Sequence, residues 1–269
     1  MVYVITFLAY GLLGWYFWRT TWKNNKTHPD ARLKLLIAIP LTLHAVLLYQ
    51  SIFLNGAVNF NLANAISSIL WLTGLIYWVG SFGNNVLGLQ AIVLPIAGIG
   101  AMLPAFATPV HTLPYTSLPA FKLHFFIAIL SYSLFTIAAF HAFVMTLVER
   151  RLHGVNMEKM PNLPPLLTME KLLFRIIALA FILLTLTLVS GIFFSEALFQ
   201  KVMPINHKTV FAVISWFLFA ALLAGRALYG WRGRIALRWI LTGFVMLLLA
   251  YIGSKFVLEL VLHRPALIN

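Results

Sequence analysis

The sequence contains no cysteine and only six acidic residues among its 269 positions. Without cysteine the chain itself cannot form a disulfide, a Cys-x-x-Cys redox pair, an iron–sulfur cluster or a covalent attachment to a c-type haem. The few acids lie mostly in connecting loops, and no nucleophile and base can be paired by their spacing. We therefore do not expect an enzyme.

Charge of either sign is scarce, because only 9% of the residues are charged, 62% are hydrophobic and the mean hydropathy is +0.94. Uninterrupted apolar runs of about 18 residues or more predict membrane spans. Backbone polar groups cannot stay unpaired in lipid, so the spans should be helices. We predict an all-α, polytopic membrane protein that forms a single bundle over residues 1–269. The eight predicted spans are approximately 2–18, 35–54, 62–80, 86–106, 121–148, 169–194, 207–225 and 236–262.

The basic residues predict the orientation of these spans. Three alternate loop regions, 19–34, 149–175 and 226–238, carry five, five and four of the 19 Lys and Arg residues. The side richer in Lys and Arg is cytoplasmic, so both termini should lie outside, in the periplasm of a bacterial inner membrane. This topology accounts for the net charge of +13. We therefore expect lipid as the surrounding partner and no binding of nucleic acid.

Proline and small residues add local predictions. The three prolines of the 107–120 loop favour an extended segment without helix, and Pro95 should kink the fourth span. The fourth span also carries small residues that permit close helix packing. These are Gly88, Ala91, Ala97, Gly98 and Gly100.

Five of the eight histidines lie in or near one half of the predicted bundle. His44 is about ten residues into the second span, roughly 15 Å along a helix. A histidine in lipid usually has a partner or a ligand, so His44 is either a neutral imidazole bonded to a neighbouring helix or a ligand. The outer histidines are His111, His124, His207 and His263. Of the others, His141 is expected to be structural, and His28 and His153 fall in basic cytoplasmic loops.

The last span ends in Lys255, Glu259 and His263, which are spaced by four and share one helical face. Glu259 can pair with Lys255 and accept a hydrogen bond from one nitrogen of His263, which would leave the other nitrogen to bind a metal. A polar helix end that reaches the membrane surface is an equally good interpretation. A haem at this side would also need cations near its propionates. The outer cations are Lys122, Lys208 and Lys255.

The segment 207–234 reads HKTVFAVISWFLFAALLAGRALYGWRGR. It resembles the seventh-helix region of the CcsA/CcmC/CcmF/HemX cytochrome c assembly superfamily. That region has an outer Lys, an apolar helix with Ser/Thr-Trp, an inner Arg and then Gly-Trp-Arg-Gly. The matching residues are Lys208, Ser215, Trp216, Arg226, Gly230, Trp231, Arg232 and Gly233. The Lys122-Leu-His124 segment and the Leu-His pair at 262–263 resemble the family as well, and the YpjD/HemX branch looks closest.

The resemblance implies a multi-pass inner-membrane protein that holds haem b non-covalently at its outer face or hands it on. His124 and His263 would be the axial ligands, and His44 the deeper membrane histidine. The haem iron would be the only metal. Other cytochrome c assembly or haem-biosynthesis proteins would be the partners. Secondary or supporting residues would be His207, His111, Glu259, Lys255, Lys122 and Lys208.

Two departures from the family pattern favour an alternative function. The 195–206 loop, SEALFQKVMPIN, lacks the Trp-Gly-Trp-Asp type of motif that haem-handling members carry, and Ala224 stands where the larger family has a second membrane histidine. The alternative is a haem-free regulator or scaffold, similar to HemX, which acts on haem biosynthesis or a neighbouring membrane protein. Its contact surface would be the loops 149–168 and 226–235. A transporter is disfavoured, because no pair of acids lies at the centre of the spans, Glu259 is already near Lys255, and no repeat is visible.

Overall fold

The computed structural model describes residues 1–23, 31–54, 57–58, 61–83, 89–106, 118–152, 165–199 and 207–253. This part of the chain is almost entirely helical, which confirms the all-α prediction. Its α-helices are α1 (Val2–Phe17), α2 (Ala31–Leu36), α3 (Ala38–Ile52), α4 (Leu62–Gly83), α5 (Gln90–Met102), α6 (Pro119–Leu152), α7 (Leu166–Phe199), α8 (His207–Tyr229) and α9 (Gly233–Leu248). π-Helical turns extend α1 over Trp18–Lys23 and α9 over Leu249–Gly253, and a 3-10 turn, Leu103–Phe106, follows α5.

Each of the eight predicted spans overlaps a helix in the described part of the chain. Six helical segments of that part are long and apolar enough to cross a membrane, and they confirm a polytopic membrane protein. They are Arg32–Ile52, Leu62–Phe82, Pro119–Arg150, Leu166–Phe193, His207–Tyr229 and Gly233–Tyr251. The other two predicted spans are shorter, since α1 has 16 residues and the fourth covers Gln90–Phe106. The orientation of the termini stays a prediction, and so does the end of the eighth span, which lies outside the described residues.

The start of α6 corrects one prediction. Pro119 and Ala120 are helical, so the 107–120 loop is not free of helix at its end. Proline suits the first helical position, because the N–H it lacks would have no partner within the helix. The preceding residues 107–117 lie outside the described part of the chain.

The helices divide between two compact units. The first unit contains Met1–Thr108 and Phe143–Leu172, and the second contains Pro109–Ala142 and Leu173–Asn269. The single bundle over 1–269 stays a prediction.

Close contact between α1 and α5 forms the core of the first unit. A Cβ added to Gly14 of α1 would lie 2.6 Å from two ring carbons of Pro95 in α5, and one added to Gly98 would lie 3.0 Å from the Cβ of Tyr10. One added to Gly100 would lie 2.9 Å from the side chain of Leu70 in α4. Close packing at the small residues of α5 is thus confirmed at Gly98 and Gly100. The kink at Pro95 stays a prediction.

The connection between α8 and α9 is a tight turn in the second unit. The Trp231 N–H donates to the Gly225 carbonyl at 3.2 Å. The Trp231 ring covers Gly225, where an added Cβ would clash with Trp231 Cε3. Gly230 and Gly233 have φ values of 66° and 54°, a left-handed conformation that favours glycine. These two glycines therefore allow the chain to reverse direction between α8 and α9.

Candidate functional site

His124 lies in the second turn of α6 and is held by a side chain of α7. Its Nδ1 is 2.7 Å from Ser190 Oγ, and the Ser190 hydroxyl donates to the Leu186 carbonyl of its own helix at 2.6 Å. A serine hydroxyl has one proton to donate, so Ser190 Oγ accepts the hydrogen bond and His124 Nδ1 carries the N–H. The lone pair of the neutral ring is therefore on Nε2.

A pocket of about 260 Å³ lies beside this imidazole, between α6 and α7. Its lining residues are Ala120, Leu123, His124, Ile127, Ser190 and Phe193. Leu123 and Phe193 are 60% and 67% exposed, so the pocket opens on a face that the rest of the described chain leaves uncovered. Both helices are apolar enough to span a membrane, and such a face meets lipid.

A lysine and two tyrosines of the second unit stand near the same end of the helices. Lys208, the second residue of α8, places its Nζ 5.5 Å from the ring centroid of Tyr251. The Tyr251 ring packs edge-on against Tyr132 of α6, with 5.9 Å between centroids. Tyr132 belongs to the same helix as His124, so α6 connects the imidazole to this pair of tyrosines and to the lysine beside them.

The structure describes only some of the other residues that we predict on the outer side. Lys122, near the start of α6, and His207, the first residue of α8, are both exposed. The predicted second axial ligand His263 lies outside the described residues, as do Glu259, Lys255 and His111. The pairing of His124 with His263 stays a prediction.

His44 of α3 is fully buried in the first unit and contacts two neighbouring helices. Its Nε2 is 2.9 Å from Ser67 Oγ of α4, and its Nδ1 is 3.5 Å from the hydroxyl of Tyr10 in α1. A neutral imidazole has one donor and one acceptor, so one of the two hydroxyls donates and the other accepts. This confirms the interpretation of His44 as a histidine bonded to neighbouring helices. Binding of iron by His44 stays a prediction, and it would require breaking one of these contacts.

A buried polar cluster near the connection of α3 and α4 was missed by the sequence analysis. The Ser51 hydroxyl donates to Asn64 Oδ1 at 2.8 Å, and the Asn64 N–H donates to Asn61 Oδ1 at 2.8 Å. The Ser68 hydroxyl donates to the Asn64 carbonyl at 2.7 Å. The signal was available, because Ser67 and Ser68 follow Asn64 by three and four residues and so share one face of α4 with it. Asn61 lies three residues before Asn64, directly ahead of the helix.

His141 of α6 is also more unusual than its sequence context indicated. It is 2% exposed, and neither ring nitrogen has a hydrogen-bond partner among the described residues. A buried imidazole without partners costs free energy, because the lost hydrogen bonds to water are not replaced.

The Ser-Trp part of the family motif joins three helices of the second unit. Ser215 of α8 donates to the Gly243 carbonyl of α9 at 3.0 Å. The Trp216 Nε1–H donates to Thr185 Oγ1 of α7 at 2.9 Å. The rest of the motif, from Arg226 to Gly233, forms the turn between α8 and α9. These motif residues therefore hold neighbouring helices together.

Comparison with known proteins agrees with this architecture of apolar helices. The family model described as cytochrome C assembly protein matches residues 33–262, so the chain belongs to that family and is a multi-pass integral membrane protein. It is 30% identical over 241 residues to the inner membrane protein YpjD of Escherichia coli (strain K12), which covers 89% of this chain and 90% of that protein. We therefore assign it to the inner membrane.

More distant relatives match a shorter stretch. The cytochrome c biogenesis protein CcsA of Gloeobacter violaceus is 30% identical over 92 residues, 34% of this chain and 27% of that protein. The CcsA of Prochlorococcus marinus (strain MIT 9215) is 35% identical over 88 residues, 33% of this chain and 28% of that protein. No solved structure matches the chain.

Proposed function

We propose that this protein binds haem b non-covalently at His124 and holds it, or hands it on, at the outer face of the membrane. It would change no covalent bond itself and would not be an enzyme. The observation that carries the proposal is the imidazole fixed by Ser190 beside an apolar pocket that opens toward lipid. Both termini would lie in the periplasm, on the same side as this pocket.

The residues of the site fit a haem. A histidine that binds a metal commonly donates its other ring N–H to a neighbouring group, which fixes the tautomer, and His124 donates in this way to Ser190. Lys208 would provide a cation for a propionate, and Leu123, Ile127 and Phe193 would offer apolar surface to the macrocycle. The bound haem would supply an iron that can change its oxidation state. His263 is our candidate for the second axial ligand.

The experiment that tests the proposal is an absorption spectrum of the detergent-purified protein, expressed with excess haem precursor and recorded oxidised and reduced. We expect a Soret band and sharp α and β bands after reduction, as for haem with two imidazole ligands. Acid and organic solvent should extract the haem, because the chain has no cysteine to attach it covalently.

A folded, monodisperse but colourless protein would contradict haem binding. It would favour the regulator or scaffold, which would act through the loops 149–168 and 226–235 on haem-biosynthesis enzymes or other assembly proteins. Deletion of each loop, followed by capture of partners from membranes, would then test that function.

Removing the Ser190 hydroxyl should weaken haem binding without abolishing it. In Ser190→Ala the His124 N–H loses its acceptor, and loss of such a supporting hydrogen bond lowers metal affinity about 10- to 100-fold. Titration of the haem-free protein with haem measures this affinity. The matched control is Thr187→Val, since among the described residues the Thr187 hydroxyl bonds to the Leu183 carbonyl of its own helix, at 2.8 Å. Equal affinities of the two variants would contradict the role of Ser190.

A further inference from the structure

The turn between α8 and α9 is the most basic surface of the second unit that the structure describes. The 13 residues from Arg226 to Arg238 include four arginines and no acid. Arg232, Arg234 and Arg238 are exposed. A concentration of guanidinium groups at the end of membrane-spanning helices lies at the level of the lipid headgroups.

This turn is held rigidly. The guanidinium of Arg226 lies 4.5 Å from the ring centroid of Phe174 in α7, and its Nη1–H donates to the Trp231 carbonyl at 3.2 Å. The Trp231 ring packs on Trp239 of α9, with 5.1 Å between centroids. The exposed arginines therefore project from a fixed backbone, and a ligand bound there would pay little entropy to order the turn.

Apolar side chains flank the same arginines. Leu228 and Tyr229 are 75% and 77% exposed, directly beside the turn. On α7, Arg175 is exposed and follows Phe174, whose ring contacts Arg226 near the end of α8. Cations next to exposed apolar and aromatic groups match a molecule with an anionic head and an apolar tail.

We propose that the exposed arginines of this surface bind the phosphate headgroup of an anionic phospholipid such as phosphatidylglycerol or cardiolipin. They are Arg175 of α7 and, at the turn, Arg232, Arg234 and Arg238. Guanidinium groups present paired N–H donors that match two phosphate oxygens. The acyl chains would lie along Leu228 and Tyr229. This site is independent of haem binding, since none of its residues belongs to the pocket beside His124.

The test measures thermal unfolding of the full-length protein in detergent during titration with phosphatidylglycerol, phosphatidylcholine or inorganic phosphate. A ligand that binds the folded state raises the melting temperature. We expect phosphatidylglycerol to raise it, and the two other additives to have little effect. In the triple variant R232Q/R234Q/R238Q the apparent affinity for phosphatidylglycerol should fall about tenfold or more.

The matched control is R19Q/R32Q/R150Q, which removes the same number of exposed arginines from the first unit and should keep the wild-type affinity. An equal loss of affinity for phosphatidylglycerol in both triple variants would overturn the proposal, because it would show that the net charge of the protein alone attracts the lipid. Equal effects of phosphatidylglycerol and phosphatidylcholine would overturn it as well. If the glutamine variant does not fold, R232K/R234K/R238K replaces it. Lysine keeps the charge but loses the paired donors, so unchanged affinity in that variant would contradict recognition by arginine.

Discussion

Replacing His124 with alanine should give a folded protein that no longer retains haem. The variant loses the imidazole that we assign to the iron, and alanine offers no other ligand. The Soret band of the purified protein should fall to background while its melting temperature in detergent stays near that of the wild type, since His124 is only half-buried. The loss is complete in this case, in contrast to the partial loss expected for Ser190→Ala.

The control for this experiment is His153→Ala, because we predict that His153 lies in a cytoplasmic loop, away from the pocket beside His124. It should keep the full haem content. A wild-type spectrum in His124→Ala would contradict the assignment of His124 as a ligand of the haem iron. A haem content that disappears equally in both variants would point to a general loss of folding, which the melting temperatures would reveal.

Replacing Gly14 with alanine should destabilise the first unit strongly. The added Cβ would lie 2.6 Å from the Pro95 ring, so either α1 or α5 must shift, and overpacking of this kind costs about 1–3 kcal/mol. Unfolding by heat or denaturant in detergent measures the change in the free energy of unfolding.

Gly11, one turn earlier in α1, provides a matched control. A Cβ added to Gly11 meets no atom within 4 Å among the described residues, so Gly11→Ala should be neutral or stabilise α1 by up to about 1 kcal/mol through helix propensity. Equal stabilities of the two variants would show that the contact between Gly14 and Pro95 does not limit the packing of α1 on α5.

The sequence predicted the helices well, because lipid imposes a strong rule on their composition and length. Even the boundary error at Pro119 has a simple cause, since proline both interrupts helices and starts them. The close packing at Gly98 and Gly100 was also predictable from residue size. Each of these features depends on residues that are close together in the sequence.

The partners of the histidines were harder to predict. Ser190 lies 66 positions from His124 and Ser67 lies 23 positions from His44, so both contacts depend on which helices are neighbours and in which register. Hydropathy does not contain that information. The lack of partners for the His141 nitrogens among the described residues was not predictable for the same reason. The sequence around a histidine in an apolar helix does not show whether a hydroxyl of another helix faces it.

The paired polar groups of α3 and α4 have a consequence for how the protein enters the membrane. Ser51 bonds to Asn64, and His44 bonds to Ser67. The connection between the two helices is closed by the antiparallel strands Phe53–Leu54 and Ala57–Val58. Either helix alone would expose these polar side chains to hydrocarbon, which is costly. We therefore expect α3 and α4 to leave the translocation machinery together, as one helical hairpin whose polar side chains are already hydrogen-bonded to each other.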